Sequence, residues 1–323
     1  MADNAFWDLP PKVYENLEKA GLTSASSIIT STDYDLQKLG NLTIEECRLV
    51  RSRVSKSVLT PWFTPVADIS CTFTDKWRRL SVGCSKLDDF LQGGVALRGI
   101  TEIAGESSSG KTQLCLQLCL TVQYPFSCGG LAGGAVYICT EDAFPSRRLQ
   151  ELFCTFPPTF QQPHNKINFG DNVFVEHIGD VENLKQCLCV RLPQLLMQRN
   201  IRLIVVDSIA GLFRADYEPG DAIIRAKELQ MVGSQLHKLA DQFRLAVICV
   251  NQVADVINDG ARQKPVAALG LAWANMVTTR LQLSRTARSV EERCVRTMEV
   301  VFAPDLPSDS CNFVVTSAGV CGI

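Results

Sequence analysis

Apolar and polar positions fall into two rhythms along this chain. Residues 1–57 carry helical spacing: Lys12-Val-Tyr-Glu-Asn-Leu-Glu-Lys-Ala20 places Val13, Leu17 and Ala20 on one face, and Gly21 ends the run. Asp33–Leu39 predicts another turn or two. Thr43–Val50 predicts a third helix, with Thr43 as cap and Glu46 three residues on, the spacing of a capping box. From Leu80 onward the pattern alternates strand and helix, which predicts an α/β sheet. Strands are expected at 99–104, 135–140, 173–177, 202–207, 245–251, 277–283, 294–302 and 312–316. Helices are expected near 111–122, 145–153, 181–199 and 222–242. The last three strands follow one another through short turns, so that end of the sheet is expected to be antiparallel.

Between the two rhythms, residues 58–79 read as a linker. Thr60-Pro-Trp-Phe-Thr-Pro65 cannot lie inside a helix, because two prolines remove donors and push their predecessors to extended geometry. Trp62 and Phe63 there are expected to dock, either on a neighbouring subunit by strand addition or on their own core. The expected organisation is a helical domain at 1–57, a linker at 58–79 and an α/β core at 80–323.

Composition narrows the setting. The chain has 323 residues, 46% of them apolar and 20% charged, with net charge −2. That is an ordinary globular balance with no global basic footprint for nucleic acid. No run of about 18 apolar residues predicts a membrane span, and the acidic start lacks the features of a signal peptide. Fourteen cysteines contain no C-x-x-C pair and are joined by three histidines, which argues against zinc. Cys115, Cys119, Cys139 and Cys249 sit in apolar patterns and read as buried, reduced thiols of a cytosolic or nuclear protein.

The chemistry begins at Gly105-Glu106-Ser107-Ser108-Ser109-Gly110-Lys111-Thr112, which fits the phosphate-loop pattern at every fixed position. Its glycines let successive N–H groups turn toward phosphate oxygens. Lys111 adds a point charge, and the Thr112 hydroxyl is a hard oxygen suited to Mg²⁺. An expected strand runs into the loop and an expected helix leaves it, the context the motif requires. Leu203-Ile-Val-Val-Asp207 is a buried strand ending in a carboxylate, the second half of such a site. Glu141 follows a strand at the edge where open sheets bind ligands, placed to orient or deprotonate a water. Gln252 ends the next strand with an amide that can bond a γ-phosphate or its attacking water.

Taken together, Gly105–Thr112, Thr140-Glu-Asp142, Leu203–Ser208 and Val250-Asn-Gln-Val253 resemble the RecA-type recombinases. Val206–Tyr217 is similar to the eukaryotic strand-exchange recombinase and its paralogues. The resemblance implies a RecA-like P-loop ATPase core with a mainly parallel central sheet, and a small N-terminal helical domain, degenerate helix-hairpin-helix-like around Leu39–Leu42. It implies that Gly105 through Thr112, with Gln113, bind ATP, and that Thr112 and Asp207 hold Mg²⁺. Glu141 and Gln252 would serve hydrolysis, and Arg148 would lie over adenine. Pro304-Asp305 would cap the nucleotide of an adjoining protomer. Trp273 stands where the strand-exchange enzyme has a polar, nucleotide-sensing side chain. Phe63 and Ala67 are spaced one residue wider than the family's F-x-x-A subunit hook.

Two loops carry DNA in the family's recombinases. Here the first, Arg214–Asp221, has one arginine against three acids, and the second, Val253–Pro265, has two cations against two acids. Phosphate contacts supply most non-specific DNA affinity, so neither loop is expected to grip DNA alone. The reading is an ATP-binding mediator with weak ATPase activity. It would work with a sister paralogue and the strand-exchange recombinase, on single-stranded and branched DNA, in homologous-recombination repair. Its expected location is the nucleus, with room for a cytoplasmic pool. The competing reading is a filament-forming strand-exchange recombinase acting by itself.

Overall fold

The computed structural model describes residues 9–58, 77–155, 169–215, 217, 219–254, 257–258, 261–262 and 265–323. The chain divides into two compact units, residues 1–72 and 73–323. Most of the expected linker, with Phe63 and Ala67, lies outside the described residues.

Among its described residues the first unit has four helices: α1 (Pro11–Lys19), α2 (Ala25–Thr30), α3 (Asp33–Gly40) and α4 (Ile44–Val58). Val13, Leu17, Ile28, Leu36, Val50 and Val54 form its core. Three of the helices begin with reciprocal side-chain caps: Ser24 with Ser27, Thr32 with Asp35, and Thr43 with Glu46. Each satisfies two backbone donors that a helix start leaves free. Helix α2 was not among the expected elements. Its six residues are too few to show a period, and its serines favour caps and turns over helix interiors. Asn41, at φ 48°, ends α3 in the left-handed region that asparagine tolerates.

The second unit is built on a nine-stranded sheet. In chain order its first strands are β1 (Arg79–Leu80) and β2 (Val95–Ala96), a separate small pair flanking a short helix, Ser85–Phe90. Then come β3 (Ile100–Gly105), β4 (Gly134–Cys139), β5 (Val173–His177), β6 (Ile201–Asp207) and β7 (Ala246–Asn251). Four two-residue strands follow: β8 (Val253–Ala254), β9 (Ile257–Asn258), β10 (Ala261–Arg262) and β11 (Val266–Ala267). The chain closes with β12 (Thr279–Val290), β13 (Arg293–Phe302), β14 (Ser310–Thr316) and β15 (Gly319–Gly322). The large sheet runs β15-β14-β13-β12-β3-β7-β6-β4-β5, parallel from β12 to β5 and antiparallel from β12 to β15.

Strands β3, β4 and β7 are buried along their whole length. That is why they read as unbroken apolar runs: helices cover both faces of a parallel sheet. Alternate residues serve two cores. Ile103, Tyr137, Val205 and Ile248 pack on one face with the helix Lys111–Thr121. Ile100, Ile138, Ile204 and Val247 pack on the other with Ala222–Phe243.

Three departures have physical causes. The helix expected at 181–199 passes from Val181–Gln186 through a π turn at Cys187–Arg191 into Leu192–Gln198; Pro193 lies just after that turn and has no N–H to continue the ladder. Strand β12 continues seven residues past its expected end at Leu283, because its exposed polar half is held by the ladder to β13 and not by burial. Strand β15 is four residues with two glycines, too short and too small to signal itself. The thiols of Cys115, Cys119, Cys139 and Cys249 are buried as expected. Burial pushes all four upward, Cys139 to about 11. Among the described residues no helix is long and apolar enough to cross a membrane, and no group of metal-ligating side chains is clustered.

Candidate nucleotide site

Adjacent parallel strands β3, β7, β6 and β4 present their carboxyl ends at one edge of the sheet. Those ends carry Gly105, Gln252, Asp207 and Glu141, respectively. Ligands of open α/β sheets bind at this edge, and a cavity of about 710 Å³ opens there. Gly105, Glu106, Ser107, Ser108, Lys111 and Thr112 line it together with Tyr137, Glu141, Asp207 and Gln252.

The loop from β3 to the helix Lys111–Thr121 takes its shape from its small residues. Gly110 caps the helix at φ 105°, where a side chain would be strained. A Cβ at Gly105 would stand 2.4 Å from the Leu283 carbonyl and 2.7 Å from Ser109 Oγ. The Lys111 ammonium donates to the carbonyls of Gly105 and Glu106, at 2.8 Å each. Burial pulls the Lys111 pKa below its usual range, and Asp207 and Glu141 oppose that pull. On the loop's other flank Arg285 donates to both Glu106 oxygens, which holds that carboxyl below the ordinary range. Arg296 donates to the Ser108 carbonyl at 3.2 Å.

Thr112 Oγ1 and the Tyr137 hydroxyl both donate to Asp207 Oδ2, at 2.9 and 2.5 Å. Gln252 Nε2 donates to Glu141 Oε1 at 2.6 Å, and Arg214 donates to Gln252 Oε1. Glu141 lies against Gly211, where a Cβ would come within 2.6 Å of its Cγ.

The residues present fit a nucleotide triphosphate with a divalent cation. The glycine loop meets a helix N-terminus, a ready anion site. The buried Ser109 Oγ has no hydrogen-bond partner. A hydroxyl and a carboxylate lie together as hard oxygen donors. The sequence model of the family described as Rad51 matches residues 75–323. The chain belongs to the Rad51 family.

Similar proteins agree with this Rad51-family membership. DNA repair protein XRCC3 of Mus musculus is 39% identical over 98% of this chain and 97% of its own length. XRCC3 of Bos taurus is 40% identical, over 98% and 96%. DNA repair protein rhp57 of Schizosaccharomyces pombe is 32% identical, over 79% and 82%. The RecA-like fold expected from the motifs is the fold described above.

Within this Rad51-family core, the structure brings together Gly105, Lys111, Thr112, Glu141, Asp207 and Gln252. Gln113 and Arg148 meet beside them: Arg148 Nε donates to Gln113 Oε1 at 2.8 Å, and its guanidinium also holds the Thr316 carbonyl. Neither is among the cavity-lining residues. Trp273 does not face the cavity. It is fully buried and donates to Glu102, because its apolar bulk belongs to the core cluster behind β7. Asp305 accepts from Arg79 and Arg98 of its own chain, at 2.8 and 3.1 Å. The described residues in and around the second loop pair as short strands, β8 with β11 and β9 with β10. Arg214 ends a short helix, Ile209–Ala215. Asp216 and Glu218, like Asp255, Asp259 and Lys264, lie outside the described residues.

Sequence reasoning missed Tyr137, Arg214 and Arg285 as site residues. Tyr137 carried one available signal: a phenol in a strand otherwise apolar, on the face shared with the loop helix. Its hydroxyl is fixed by Asp207, and burial drives its pKa far up, so it donates at every working pH. Tyr137→Phe is expected to lower stability by about 1 kcal/mol, the net worth of one hydrogen bond, and to raise the Mg²⁺ concentration needed for nucleotide binding. Urea denaturation and a Mg²⁺ titration read the two effects.

Proposed function

We propose that this chain is an ATP-binding recombination mediator, a recombinase paralogue of homologous-recombination repair of DNA breaks and junctions. It works beside other Rad51-family members: a sister paralogue as its assembly partner, and the strand-exchange recombinase whose filaments it supports. In this reading the loop Gly105–Gly110 and Lys111 hold the phosphates, with Gln113 and Arg148 on the adenine side. Thr112 and Asp207 hold Mg²⁺, which when bound neutralises charge on the phosphate oxygens. Glu141 orients or deprotonates the attacking water, and Gln252 answers to the terminal phosphate. Hydrolysis is slow, and the bound nucleotide chiefly holds and switches the assembly. The work on DNA sets the location in the nucleus, with a cytoplasmic pool.

One observation carries the mediator reading over an autonomous recombinase. The first loop's single cation, Arg214, is engaged by Gln252, and that loop's other charges are acids. A surface of this charge releases few counterions on DNA. The names of the similar proteins, all DNA repair proteins, support the same setting.

Fluorescence anisotropy on single-stranded DNA at physiological salt tests it. The purified chain is expected to bind no tighter than about 10⁻⁵ M, within the non-specific range, and to gain affinity only when co-purified with its sister subunit. Tight binding or strand exchange by the chain alone refutes the proposal.

A further inference from the structure

We infer that Glu102 is a positioning residue for the nucleotide site: one buried carboxylate that fixes Gln252, and both ends of the second loop, against the phosphate-loop strand. The inference rests on the nucleotide reading above.

Glu102 lies on β3, three residues before Gly105, and its side chain is 0% exposed. A charge so buried persists only with strong partners. It has three, from three later parts of the chain. Oε2 accepts from the Arg280 guanidinium. Oε1 accepts from Asn251 Nδ2 at 2.6 Å and from Trp273 Nε1 at 2.8 Å. Arg280 alone would neutralise the carboxylate. The other two bonds go to the residues that bracket the second loop, Asn251 where the chain leaves β7 and Trp273 in the short helix Gly270–Ala274 that follows the loop.

The loop base is closed around this point. Asn251 Nδ2 also donates to the Ala268 carbonyl at 2.9 Å, and the Ala268 amide donates to the Gln252 carbonyl at 2.9 Å. The rungs between β8 and β11 continue the closure outward. Successive side chains of a strand point to opposite faces. Holding Asn251 inward therefore holds its neighbour Gln252 toward the cavity, where it meets Glu141.

The Asn251 amide shows that this orientation is imposed. Its nitrogen donates to two acceptors, while Oδ1 is buried with no hydrogen-bond partner. Turning the amide over would relieve nothing, because Oδ1 would then face Glu102 Oε1 and the Ala268 carbonyl, both acceptors. The carboxylate thus decides which way Asn251 stands, at the expense of one orphaned oxygen.

Trp273 offers the readout. Replacing Trp7, Trp62 and Trp77 by phenylalanine leaves it as the sole indole, bonded to the proposed pivot. A non-hydrolysable ATP analogue with Mg²⁺ is titrated into this parent, with binding followed by calorimetry and Trp273 by its emission. The expected parent shows an emission change that saturates with the calorimetric isotherm. In Asn251→Ala and Glu102→Gln, affinity is expected to stay within about threefold, because the phosphate loop is untouched. The emission change on binding is expected to be lost. Variants that bind and keep the full emission change overturn the inference and leave Glu102 as a core ion pair. Should both variants unfold, Trp273→Phe removes the indole donor and keeps an aromatic ring, though a smaller one, in the core. Its ATP turnover is expected to fall at unchanged KM, and unchanged turnover overturns the inference. A parent that binds no nucleotide by calorimetry overturns the nucleotide reading itself, and the inference with it.

Discussion

Lys111→Met is expected to remove nucleotide binding without weakening the fold. In the present arrangement the Lys111 ammonium rests on the carbonyls of Gly105 and Glu106, inside the loop that would curl around phosphates. Charged hydrogen bonds to phosphate contribute about 1.5–3 kcal/mol each. Losing two of them lowers affinity about 100-fold or more, at 1.4 kcal/mol per tenfold. Isothermal calorimetry with ATP and Mg²⁺ measures it, and near-native affinity in the variant would remove the loop from the nucleotide site. Stability moves the other way or not at all. Burial holds the folded Lys111 pKa below its ordinary 10.5, so between those two values the unfolded chain binds more protons than the folded one. Stability from this group therefore rises with pH across that window. Below it, the charged ammonium costs the fold free energy that methionine does not. Urea denaturation from neutral pH to about pH 10, the upper part of that window, is expected to show a shallower rise for the variant.

Glu141→Gln is expected to leave ATP bound and unhydrolysed. Glu141 lies 2.6 Å from the Gln252 amide and against Gly211, and lines the same cavity as Lys111. The substitution keeps shape and removes the basic oxygen, so affinity stays near that of the natural chain. Turnover falls by about 10²–10⁴-fold, the usual contribution of a positioned acid or base. Because the bound nucleotide is proposed to hold the assembly, native mass measurement with ATP is expected to find the variant retained with its sister subunit for longer. A variant that turns over ATP at the natural rate would reassign the water-facing role, with Asp142 the neighbouring carboxylate on the same cavity wall.

How far the site could be read in the sequence depended on the distance over which each constraint acts. Gly105–Thr112 was legible because a phosphate-loop pattern is a run of consecutive residues. Asp207, Glu141 and Gln252 were legible because each ends an apolar strand, and strand ends of a parallel sheet gather at one edge. Tyr137 was not, because one phenol among apolar neighbours reads as core until β4 and β6 are set side by side. Arg285 was hidden because its partner Glu106 is 179 positions away. The partner of Trp273 was hidden for the same reason: packing sets its indole on Glu102, 171 positions away. The same holds for elements. Long buried strands announced themselves, whereas β15 and the helices Ala25–Thr30 and Ile209–Ala215 are too short to show a period and owe their form to neighbours.

The sequence by itself determined the phosphate loop, the order of the long strands and helices of the core and the family resemblance. It also determined the net negative charge of the first loop, since charge and local spacing are properties of the residues themselves. The tertiary structure alone decided which groups meet: Tyr137 and Thr112 on one oxygen of Asp207, Arg214 on Gln252, and Asn251, Trp273 and Arg280 on Glu102. Hydrogen bonds act over about 3 Å, and partners that far apart in the chain come within that reach only once the sheet has set the register of its strands.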